Sequence, residues 1–188
     1  KYAPARASSC RSCIPGFFTA SARSHECQPC PSGWFTGSED SKFCIRPGPG
    51  YVGGGATFQV ACAAGKYKAI GDGNCKRCPK GWAQSSSGSS ECLPCAEGKY
   101  GDVEELSLCR DCIPGQYAAV SGSINCTLCP EGYFQSNARG STCPRAVTGV
   151  AEDAGTISLL PCPAGTFLDA STTPTKCRRC PAGRYSDK

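Results

Sequence analysis

The spacing of its cysteines constrains this chain more than any other feature. Cys-x-x-Cys pairs fall at Cys10/Cys13, Cys27/Cys30, Cys75/Cys78, Cys92/Cys95, Cys109/Cys112, Cys126/Cys129 and Cys177/Cys180, and within uninterrupted runs each pair starts 17 residues after the last. Cys44, Cys62, Cys143 and Cys162 stand alone. Cys44 and Cys143 lie where the first member of a pair belongs, and Cys62 and Cys162 are followed by the residues that follow a second member. Each couple therefore reads as one pair widened by an inserted segment. So short a period marks a tandem array whose units depend on their neighbours, since each is too small to bury a core alone.

The residues after the second cysteine repeat as well. Gly occupies the third place in all nine copies, as in Cys30-Pro31-Ser32-Gly33 and Cys112-Ile113-Pro114-Gly115. Pro before it presets a turn, and Gly takes the positive φ that such a turn needs. An aromatic ring follows at the fifth place: Phe18, Phe35, Tyr67, Tyr100, Tyr117, Phe134, Phe167 and Tyr185, with Ala83 as the exception, preceded by Trp82. The reading is that each ring stacks over a disulfide or the neighbouring turn. Units this short, with turns at both ends, predict strands of three to five residues paired as hairpins, with little helix. The expected fold class is small and disulfide-rich: an elongated array of β-hairpin units of about 17 residues.

Composition agrees. Cysteines number 18 in 188 residues, the density of a disulfide scaffold, and such bonds persist in the secretory or extracellular space. With 23 Gly, 15 Pro and 39% hydrophobic residues, cross-links have to stand in for an extended apolar core. The net charge of +5 is scattered and forms no basic stripe for nucleic acid. No apolar run is long enough for a membrane-spanning helix. His25 is the single histidine, and no carboxylate pair, nucleophile set or phosphate-cradling loop stands in context. An enzyme is not expected, nor a cofactor.

The lone cysteines constrain the pairing. If the second cysteine of each pair bonds the first of the next, the loops are Cys13 to Cys27, Cys30 to Cys44, Cys62 to Cys75, Cys78 to Cys92, Cys95 to Cys109, Cys112 to Cys126, Cys129 to Cys143 and Cys162 to Cys177. Cys10 and Cys180 are left over, with partners expected in flanking sequence. Bonding within each Cys-x-x-Cys, with Cys44 joined to Cys62 and Cys143 to Cys162, also satisfies the count, and an interlaced first-to-third pattern is a further alternative. Zinc fits one unit, but ten cysteines from Cys62 to Cys143 do not divide into four-ligand sites.

The domain reading is an array over 1–44, an insertion or linker over 45–61, a five-loop array over 62–143, a second insertion or linker over 144–161, and the start of a further array over 162–188. Within the insertions, Phe58 and Val60, or Ile157 and Leu159, are β-prone residues able to face a partner protein edge-on. The glycines of Gly53-Gly54-Gly55 and Pro47-Gly48-Pro49-Gly50 read instead as a flexible joint. Asn125-Cys126-Thr127 is an N-glycosylation sequon.

The pattern Cys-x-x-Cys-Pro-x-Gly-x-Tyr, as in Cys126-Thr127-Leu128-Cys129-Pro130-Glu131-Gly132-Tyr133-Phe134, resembles the ephrin-receptor-like cysteine-rich repeat. It is more loosely similar to tumour-necrosis-factor-receptor and laminin-type modules. The resemblance implies an extracellular, non-enzymatic, multidomain protein of the kind found in receptor ectodomains, matrix proteins and the surface or flagellar-hair glycoproteins of protists and algae. Two readings follow: a stiff rod-like spacer or filament-forming segment, partnered by copies of itself or other surface glycoproteins, and a ligand-binding or adhesion ectodomain.

Overall fold

The computed structural model describes residues 9–151, 153–172 and 174–186. Among them every regular element is a strand, and the strands pair only as antiparallel two-stranded hairpins. In chain order these are β1 (Phe17–Phe18) with β2 (Gln28–Pro29), β3 (Tyr51–Gly53) with β4 (Gln59–Ala61), β5 (Lys66–Tyr67) with β6 (Lys76–Arg77), and β7 (Trp82–Ala83) with β8 (Leu93–Pro94). Then come β9 (Lys99–Tyr100) with β10 (Arg110–Asp111), β11 (Gln116–Tyr117) with β12 (Thr127–Leu128), and β13 (Thr166–Asp169) with β14 (Lys176–Arg179). Most strands have two residues, shorter than the three to five expected. The reason is geometric, because the turn ends where the first strand begins and the second strand consists of the residues between two cysteines.

One local plan builds each hairpin. The residue after the second cysteine accepts a hydrogen bond from the N–H three places on, as in Trp82 to Pro79 at 3.1 Å and Gln116 to Ile113 at 3.1 Å. The third-place glycine of that turn holds φ near +80°, for example +81° at Gly81 and +82° at Gly115. This is a type II turn, and its positive φ explains why glycine holds that place. Its carbonyl then accepts the N–H of the next second cysteine: Cys78 to Gly65 at 2.8 Å, Cys95 to Gly81 at 2.8 Å, Cys129 to Gly115 at 2.9 Å.

Sulfur closes the loops. The structure bonds Cys13–Cys27, Cys30–Cys44, Cys62–Cys75, Cys78–Cys92, Cys95–Cys109, Cys112–Cys126, Cys129–Cys143 and Cys162–Cys177, with Cα–Cα distances from 5.5 to 5.8 Å. Cys10 and Cys180 carry free thiols. The buried apolar residues among those described are eight cysteines, four alanines and Val150, with no leucine, isoleucine or phenylalanine. Disulfides therefore occupy the place of an aliphatic core, and a closed loop of this length contributes about 3 kcal/mol in the chain-entropy model.

The aromatic places show a graded outcome. Phe18, Phe35, Tyr67, Tyr100, Tyr117 and Phe134 are half-buried, and Ala83 is buried. Phe167 is exposed and Tyr185 is 83% exposed.

The chain forms two compact units, one of residues 1–78 and 84–92, the other of 79–83 and 93–188. Within each, one set of three backbone bonds recurs between neighbouring repeats. In the first, Gly65 N–H donates to Gln84 (2.7 Å), Lys68 N–H to Ser89 (3.1 Å) and Gly88 N–H back to Cys62 (2.8 Å). In the second, Gly98 donates to Ala118 (2.9 Å), Gly101 to Ser123 (3.0 Å) and Gly122 to Cys95 (2.7 Å). Backbone groups left over by two-residue strands are thereby satisfied by the neighbouring repeat.

Candidate functional site

The places where the cysteine pattern breaks are the chain's distinctive positions, and the structure corrects how they read. Segment 45–61 is not a loose joint. Tyr51 N–H donates to Gly48 at 3.2 Å with Gly50 at φ +79°, the same turn that follows every second cysteine. The hairpin of β3 and β4 follows in the usual register, Tyr51 opposite Ala61 and Val52 opposite Val60, and Cys62 N–H donates to Gly50 at 2.8 Å. Pro47 thus holds the second-cysteine place and is buried like those cysteines, Gln59 holds the next first-cysteine place, and Val52 stands where the aromatic ring belongs. The segment is a repeat without a cross-link.

Segment 144–161 is a second one. Ala146, fully buried, donates its N–H to Gly132 at 2.8 Å as a second cysteine does. Val150 and Leu160 exchange both backbone bonds, at 2.9 and 3.1 Å, and Val150 is 3% exposed. The turn is a residue shorter here, and Gly149 does not adopt positive φ.

A polar side chain fastens each of these repeats where a second-cysteine carbonyl would otherwise meet a neighbouring N–H. Lys68, 4% exposed, donates its Nζ to Gly48 at 3.1 Å and Pro47 at 3.4 Å. Thr175, also buried, reaches Ala146 and Gly149, both at 3.2 Å. A lysine ammonium is buried only when carbonyls replace its water, and the two turn carbonyls supply that replacement.

The residues singled out for partner contact sit on these two repeats. Phe58 is 56% exposed, Val60 and Ile157 are exposed, and Leu159 is half-buried. Val60 does not offer a free edge, since β4 is paired to β3. Leu160, which follows Leu159 in the same β-prone run, is exposed. Asn125 lies exposed in a loop, next to the bonded Cys126. Among the described residues no group of three or more His, Cys, Asp or Glu side chains is arranged to hold a metal.

Ion pairs lace the surface. Asp111 meets both Lys99 and, at 2.8 Å, Arg139 Nε, and those two hydrogen bonds hold its carboxyl below the ordinary range. Lys76 lowers Asp72 in the same way, across 2.7 Å.

Residues 1–43 match the family described as tyrosine-protein kinase ephrin type A/B receptor-like. That stretch carries an ephrin-receptor-like cysteine-rich repeat. No curated protein matches the chain. The ephrin-receptor-like repeat begins an array whose turn, hairpin and disulfide recur beyond the matched residues, through Cys177. Its small hairpins and disulfide content are those of an extracellular disulfide-rich repeat.

Proposed function

We propose that this chain is a non-enzymatic spacer in an extracellular protein, holding other segments apart at a set distance. The observation that carries the reading is the recurrence of the same three backbone bonds where the Cys13, Cys62, Cys95, Cys112 and Cys129 repeats meet the repeat that follows. Those bonds run through main-chain atoms, so they tolerate the variable residues between the cysteines and propagate one geometry. The disulfides add resistance to unfolding and proteolysis. Copies of the chain, or other surface glycoproteins, are the partners such a segment would align with.

Small-angle scattering tests this directly. Removing residues 95–128, two whole repeats, should shorten the maximum dimension by about 10 Å per repeat, the spacing of two paired strands. An unchanged maximum dimension would remove the spacer reading.

The exposed apolar side chains on the two uncross-linked repeats favour a second reading, an adhesion or receptor ectodomain. Replacing Phe58 and Ile157 with Ser separates the two. Loss of binding to intact cells, with scattering unchanged, supports the ectodomain, and unchanged binding supports the spacer.

A further inference from the structure

We infer that the two repeats lacking a cross-link are force-release elements, the lengths of chain that pay out under tension while every disulfide stays intact. The covalent path dictates this. Between Cys13 and Cys177 each residue lies in a disulfide-closed loop, in a two-residue link between bonded cysteines, or in one of two stretches, 45–61 and 144–161. Tension on a closed loop runs through its sulfur bridge and cannot lengthen it. A two-residue link yields about 10 Å when fully extended.

The other two stretches carry 17 and 18 residues between cysteines. Each is held by hydrogen bonds and side-chain packing and by no disulfide: in the first, β3 pairs β4 and Lys68 holds the turn, and in the second, the Val150–Leu160 bridge and the Thr175 pair add to the backbone bonds that Ala146 and Gly155 make to neighbouring repeats. Fully extended, each spans up to about 60 Å. Rupture of such hairpins is governed by their unfolding rate, so it precedes breakage of covalent bonds.

Pro47 and Gln59 hold cysteine places of the repeat, and Ala146 and Leu159 hold them in the second segment, so the device can be removed by restoring the sulfur. The property belongs to the covalent path and is independent of whether the chain acts as spacer or ectodomain.

The test is single-molecule stretching of the oxidised full chain, tethered at its two ends. Two release steps of up to about 60 Å are expected without reductant. Pro47→Cys with Gln59→Cys should form a mapped disulfide between the substituted positions and remove one step. Ala146→Cys with Leu159→Cys should remove the other. A trace without two such steps, or steps that persist in variants whose new bond is mapped, would overturn the inference. Failure of the new bonds to form in otherwise folded variants would overturn it too, because the substituted places would then not be equivalent to those of bonded cysteines.

Discussion

Gly81 lies so close to the carbonyl of Gly122 that a Cβ on Gly81 would collide with that oxygen. The two glycines belong to different repeats, and the closeness lets Gly81 N–H bond Gly101 at 2.8 Å while Gly122 N–H bonds Cys95 at 2.7 Å. The same approach recurs between Gly50 and Gly88, and between Gly115 and Gly155. The third-place glycine therefore serves both as the positive-φ residue of a turn and as the surface that the repeat after next approaches.

Gly81→Ala should therefore cost much more than Gly165→Ala. Gly165 has the same φ, +80°, but open space around its missing Cβ. Left-handed strain alone costs about 1 kcal/mol, and Gly81→Ala adds displacement of a neighbouring backbone, for about 3 kcal/mol or more in all. Denaturant midpoints of the two oxidised variants check this, and equal losses would count against the close approach.

The array of short hairpins was legible in the sequence because period, turn residues and cysteines all point to one local geometry. Less visible were the repeats without sulfur, since the cysteine register stops at Cys44 and Cys143. The signal that could have found the first is Pro49-Gly50-Tyr51, the same turn signature as Pro114-Gly115-Gln116. In the second, Ala146 and the shortened turn leave no such trace. A further feature hidden from sequence is the left-handed residue ten places after the second cysteine. Gly88 and Gly122 hint at it, but Arg23, Asp40, Glu105 and Arg139 hold the same conformation, with φ from 56° to 65°. That conformation aims an N–H at the preceding repeat's cysteine carbonyl, as Arg139 does to Cys112 at 2.8 Å, so tertiary bonding overrides residue preference.

Lys68→Met should loosen the first uncross-linked repeat. It keeps the side-chain length and leaves two turn carbonyls without their ammonium, a loss of about 2 kcal/mol for a charged donor. Faster amide exchange at Val52 and Val60, with the disulfide loops unaffected, is the expected outcome.

Thr175→Val preserves shape and removes the hydroxyl that bonds Ala146 and Gly149. The expected cost is about 1 kcal/mol. It should appear as faster exchange at Val150 and Leu160, whose bridge this hydroxyl backs.

Acid should weaken the pairing around Asp111. Its carboxyl is held below its ordinary value of 3.8 by hydrogen bonds from Lys99 and Arg139. A carboxylate with a lowered folded pKa contributes stability above its unfolded pKa and loses it as pH falls through the folded one. Stability should thus decline below about pH 4, and Asp111→Asn should decline less over that range. Denaturant midpoints between pH 7 and pH 2 supply the comparison.

The claim beneath all of this is that sulfur bridges between successive pairs, in place of an aliphatic core, hold the fold. Non-reducing peptide mapping tests it most directly. The account predicts peptides joining Cys78 to Cys92, Cys112 to Cys126 and Cys129 to Cys143, with no bond across Cys44 and Cys62. Bonds closed within Cys75/Cys78 or Cys109/Cys112, or a bond joining Cys143 to Cys162, would contradict it.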